Sequence, residues 1–124
     1  DFEIDIFDAE ESKKFWSDVN NLAFLKNMQG DLWRISVRPT DGIQIIKKFD
    51  PKASYLDWSG GLVWLRVEEG FNVREKMQKM SGHAMCLSGN FNQFHPISTI
   101  EKTMSSSIRK KFDPKMLFNQ QVLN

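Results

Sequence analysis

The chain has 124 residues, 40% of them hydrophobic and 12% aromatic, with 17 basic against 16 acidic residues for a net charge of +1. This is one domain's worth of chain, apolar enough to bury a core without a disulfide or metal staple. The balanced, evenly spread charge argues against a polyanion partner, and the lone Cys86 excludes an intramolecular disulfide framework and points to a reducing, cytoplasmic setting.

Phe2, Ile4 and Ile6 alternate with Glu3 and Asp5, which predicts a half-buried strand at the start. Asp8-Ala-Glu-Glu11 has the form of a capping box, with a helix beyond it that turns Phe15, Trp16 and Val19 inward. Asp31–Arg38 alternates again: Trp33, Ile35 and Val37 share one face, and Leu32, Arg34, Ser36 and Arg38 the other. Pro39-Thr40-Asp41 opens a short helix expected to bury Ile43, Ile46 and Phe49. Ser54–Trp58 and Gly61–Val67 flank Ser59-Gly60 as a hairpin, with Val63, Leu65 and Val67 opposite Leu62, Trp64 and Arg66.

Asn72-Val-Arg-Glu75 is a second box, starting a helix with Val73, Met77 and Met80 on one stripe and Gly82 as its stop. His83–Ser88 reads as a strand, and the Gly/Asn-rich loop Gly89–Pro96 leads to a third box, Ser98-Thr-Ile-Glu101. The last helix carries Ile100, Met104, Ile108 and Phe112 at a spacing of four, the mark of an inward face. The order β-α-β-α-β-β-α-β-α predicts an α+β fold, mainly antiparallel, with helices on one sheet face. The ferredoxin-like split βαβ is its nearest common architecture. The chain begins at Asp1 inside an expected strand, which reads as a piece of a longer protein.

The hexapeptide KKFDPK occurs twice, at 47–52 and 110–115, with unrelated flanks, so it is no duplicated unit. Each copy reads as a helix stop: lysines at the negative end of the macrodipole, Phe packed back on the core, Asp before Pro leaving helical geometry.

The second copy continues as KKFDPKMLFN, and here the chain resembles a known family. Phe112-Asp113-Pro114 followed by Phe118-Asn119 is similar to the FDPxGxFNPG close of FAD-linked oxidases of the vanillyl-alcohol oxidase type. Leu32-Trp-Arg-Ile-Ser-Val37, Leu56-Asp-Trp-Ser-Gly-Gly61 with Trp64-Leu65, Gly82-His83-Ala84 and Phe94-His95-Pro96 resemble, in order, FAD-binding subunits of bacterial glycolate oxidases. The likeness runs from about Phe15 to Asn119. Met116 stands where the motif has Gly, and Gln120-Gln121 where it has Pro-Gly.

The resemblance implies a single domain over residues 1–124, the substrate-side cap of an oxidase that turns glycolate into glyoxylate. The FAD would be held by an N-terminal domain absent here, and electrons would pass to an iron–sulfur subunit. The only Gly pair, Gly60-Gly61, lies in the hairpin and makes no phosphate cradle, so this chain alone is expected to bind no FAD and to be inactive. Phe118 and Asn119 are the cofactor-side candidates. Arg34 and Arg38, with Ser36 between them, suit the carboxylate of a small 2-hydroxy acid, although a solvated sheet face is the plainer explanation. His83 and His95 are the possible bases, with structural roles as the alternative. Asp57, Trp58, Trp64 and Arg66 form a Trp/Arg surface fit for docking a domain or subunit.

One Cys and two separated His give no metal-ligand spacing, and the aromatic signature of RNA-binding sheets is missing, so metal and nucleic acid are not expected. No apolar run approaches the ~20 residues of a bilayer span. The competing expectation is a non-catalytic α+β interaction module.

Overall fold

The alternating stretch after Gly30 becomes the middle of a sheet. In the computed structural model, which describes residues 6–78 and 80–118, β1 (Asp31–Val37) pairs antiparallel with both β3 (Leu62–Val67) and β4 (Gly82–Ser88). β2 (Ala53–Asp57) lies outside β3, giving the order β2-β3-β1-β4. The helices are α1 (Ala9–Asn20), α2 (Ala23–Lys26), α3 (Pro39–Phe49), α4 (Val73–Lys76) and α5 (Thr99–Phe112). β1-α3-β2 and β3-α4-β4 are both crossovers between parallel strands with an antiparallel strand inserted, a split β-α-β connectivity. The fold is α+β, as the order of elements predicts.

The inward parity of β1 and β3 is the expected one. Trp33 and Ile35, Val63, Leu65 and Val67, and Ala84 and Cys86 meet Ile45 and Phe49 of α3, Val73 of α4 and Met77 just after it. Each such side chain removed from water stabilises the fold by about 1.5–3 kcal/mol. Within α3 the phase differs from expectation. Gly42, Ile45 and Phe49 are buried, Ile46 is packed against the core, and Ile43 is exposed. Gly42 sets that phase: a Cβ on it would lie 2.1 Å from the Gly60 carbonyl oxygen, so α3 lies against the hairpin turn through bare backbone.

Both outer capping boxes close: Asp8 with Glu11, and Ser98 with Glu101. At the middle one Asn72 accepts from the Glu75 amide, and the helix lasts one turn. Gly82 is not a helix stop but the first residue of β4. The strand expected over residues 2–6 lies outside the described residues but for Ile6, which is exposed and unstructured.

The two terminal helices depart most from expectation. Neither α1 nor α5 buries any residue. Phe15 and Trp16 are exposed, with Phe15 stacked on Phe7, and the whole stripe Ile100, Met104, Ile108, Phe112 is exposed. Periodicity correctly forms an apolar face on α5; no described element lies against it.

The two hexapeptides end helices in different ways. At the first, Asp50 takes a left-handed conformation (φ 45°) and Phe49 is 6% exposed in the core. At the second, Asp113 leaves helical geometry (φ −133°, ψ 66°), Phe112 is 86% exposed, and the Asp113 carboxylate turns back to accept from the Leu117 and Phe118 amides.

Candidate functional site

The second face of the sheet carries the polar parity. Register places Arg34 of β1 between Trp64 of β3 and Met85 of β4, and Ser36 between Leu62 and His83. Tyr55 of β2 pairs with Trp64 and so joins this face, a member that the same alternation in 53–57 predicts and the candidate residues above omit. α2 closes one end. There Arg66, only 5% exposed, donates to the Leu25 and Gly30 carbonyls, while Phe24 packs edge-on against Tyr55. Arg66 is therefore covered by α2 and presents nothing to a partner. The remainder is unsealed: Arg34, Ser36, Tyr55, Trp64 and Met85 are half-buried, and His83 and Trp58 are exposed.

Arg34 is the centre of this face. Its guanidinium carbon lies 5.6 Å from the Trp64 ring centroid and 5.8 Å from that of Trp58. Two indoles at cation–π distance orient a planar cation while leaving its N–H edge able to donate.

Trp58 is aimed there by a costly turn. Trp58 and Ser59 have φ of 49° and 53°, a region bulky residues rarely occupy. Asp57 Oδ1 accepts from the Trp58 amide at 2.7 Å, and the Gly61 amide donates to the Trp58 carbonyl at 3.0 Å. Gly60 (φ 94°) lets the turn press on Pro39. Asp57 thus acts on the turn backbone.

The other candidates scatter. Arg38 is not in β1: it is the N-cap of α3, largely exposed and paired with Asp41 at 2.9 Å. Pro39 explains this, since it starts a helix and ends the strand alternation. His83 and His95 come together at the free edge of β4, rings 5.4 Å apart and edge-to-face. His95 Nδ1 accepts from the Ala84 amide. Burial first, then the charges of His83 and Arg74, holds the His95 pKa below the usual imidazole value, against a smaller opposing effect of Glu101. The neutral ring therefore carries its proton on Nε2 and has no free lone pair for a base. Burial raises the Cys86 thiol, so it is no nucleophile.

Phe118 is exposed, its backbone tied to Asp113 and Arg109; Asn119 lies outside the described residues. Met116 keeps a positive φ of 55°, the conformation glycine favours. Among the described residues no group of His, Cys, Asp and Glu could hold a metal, and no helix is long and apolar enough to cross a membrane.

The chain is similar to glycolate oxidase subunit GlcE of Escherichia coli (strain K12). The two are 28% identical over 113 residues, 89% of this chain and 31% of that protein. The chain therefore spans about a third of that relative's length. No family model matches the sequence, and no solved structure matches it. This distant likeness spans β1, the hairpin and β4, the elements that carry Arg34, Trp58, Trp64 and His83.

Proposed function

We propose that this chain is the substrate-side, C-terminal domain of a glycolate-oxidase-type FAD-binding subunit, and that the open sheet face is its half of the active site. The observation that carries the reading is Arg34, at cation–π distance from both Trp58 and Trp64 on a face left unsealed. Arg34 would bind the carboxylate of a small 2-hydroxy acid such as glycolate through paired N–H donors. Ser36, two residues along the same strand face, would donate to or accept from the hydroxyl end. His83, cross-strand from Ser36, would take a proton there.

The described residues fit a cover rather than a holder for FAD. Half-buried indole and phenol rings suit a planar ring system, whereas Gly60 is pressed against Pro39 and opens no phosphate cradle. When gripped by a partner domain, the flavin would supply the two-electron oxidation; this chain would orient the acid, exclude water and hold a proton. An iron–sulfur subunit would be the onward partner.

The test is Arg34→Met in the intact oxidase. The expected result is a KM for the 2-hydroxy acid raised at least about tenfold with flavin content unchanged, the loss of one charge-assisted contact. An unaltered KM would sink the assignment. A second reading, a non-catalytic docking module, draws on the exposed stripe of α5. It predicts that Ile108→Asp abolishes partner binding while Arg34→Met changes nothing.

A further inference from the structure

β4 is an edge strand, and an unpaired edge is a template for another chain. Here the outer edge is strapped by the loop that follows it, at three points. The Cys86 amide donates to the Gln93 carbonyl at 2.9 Å. Arg74, stacked 5.0 Å from the Trp33 ring, donates to the carbonyls of Ala84, Asn92 and Gln93. The third tie is the Ala84 amide donating to His95 Nδ1 at 3.1 Å.

Only the third tie depends on a histidine, the side-chain type whose ordinary pKa lies nearest neutrality. An imidazolium has an N–H at Nδ1, and the Ala84 N–H would then meet a donor instead of an acceptor. The surroundings work in the same direction. His83 of β4 lies edge-to-face with His95, and Arg74 of α4 adds a fixed positive charge. Glu101, in the first turn of α5, is the one acid among the described residues facing the pair, and its carboxylate is already engaged by the Ser98 amide.

We propose that His95 is a pH-released latch on the free edge of the sheet. With the ring neutral, the strap covers β4. On protonation the Ala84 tie breaks, the strap lifts between Gln93 and Ser98, and the Ala84 end of the edge becomes free to pair with a strand from elsewhere. The Arg74 and Cys86 ties persist, so the release is local and leaves the core intact.

Backbone amide exchange on the 124-residue chain tests this. Corrected for intrinsic rate, Ala84 protection should fall about tenfold or more as pH is lowered from about 7.5 through the His95 ring's own titration, while the Cys86 amide changes little. His95→Asn places an uncharged acceptor near the Nδ1 position and should hold Ala84 protection flat over that range. Nitrogen shifts of the His95 ring in the unaltered chain report its titration directly, so the test stands even if the variant folds poorly. Flat Ala84 protection while the ring titrates would overturn the latch. So would an equal loss in His95→Asn, or an equal loss at Cys86.

Discussion

Arg34 and Trp64 face each other across the β1–β3 ladder, guanidinium carbon to ring centroid 5.6 Å, and the Trp58 ring also lies within cation–π distance, at 5.8 Å. Trp64 is half-buried and Trp58 exposed. Trp64→Ala should cost about 2–3 kcal/mol, and Trp58→Ala under about 1 kcal/mol, since truncation costs scale with burial and an exposed cation–π contact is weak. Urea melts of the two variants decide; equal losses would show that Trp58 is part of the core.

The hexapeptide pair offers an internal control. Phe49→Ala removes a core ring and should cost about 3–5 kcal/mol. Phe112→Ala removes an exposed one and should stay within about 0.5 kcal/mol. The same substitution in the same six residues would then differ several-fold in thermal or denaturant stability.

Arg66 holds α2 to the sheet by its bonds to the Leu25 and Gly30 carbonyls. Arg66→Met should cost about 2–4 kcal/mol, leaving buried carbonyls without donors. Exchange at residues 23–27 should rise with it. Unchanged protection there would mean that Phe24 and Leu25 anchor α2 by themselves.

Met116 occupies a left-handed conformation that costs a side-chain-bearing residue about 1–2 kcal/mol relative to glycine. Met116→Gly should therefore strengthen amide protection at Leu117 and Phe118, read by exchange. Weaker protection would show that the freedom gained in the unfolded chain, or the loss of Met116 contacts, outweighs the relief.

The Asp113 carboxylate accepts from the Phe118 and Leu117 amides, and these bonds depress its pKa below the usual aspartate range. A depressed acid stabilises the fold fully above its unfolded value of about 3.9 and loses that contribution as pH falls through the folded value. The turn after α5 should thus loosen only in acid, whereas the lowered His95 pKa makes stability decline already as pH drops below about 6.5. Proton titration monitored at Phe118 and at Ala84 separates the two; release of both at one pH would contradict the assignment.

Alternation and capping are local, and for that reason they were legible. The parity of Trp33, Ile35, Val63 and Leu65, the boxes at Asp8 and Ser98, and the helix stops at both Asp-Pro steps follow from residues within a few positions of each other. The distant likeness to a glycolate oxidase subunit agrees with the expectation drawn from short stretches read in order.

What periodicity leaves open is whether an apolar or polar face meets anything. Ile100, Met104, Ile108 and Phe112 form the expected stripe and remain uncovered. Arg66 shares the parity of Arg34 and is sealed by α2, while Arg34 is not. Register gathered Arg34 with Trp64 and a strained turn added Trp58, joining residues first assigned to separate substrate and docking sets. A side chain's neighbours along the chain set its direction; only long-range packing sets what lies in that direction, and burial, charge and chemistry depend on the latter.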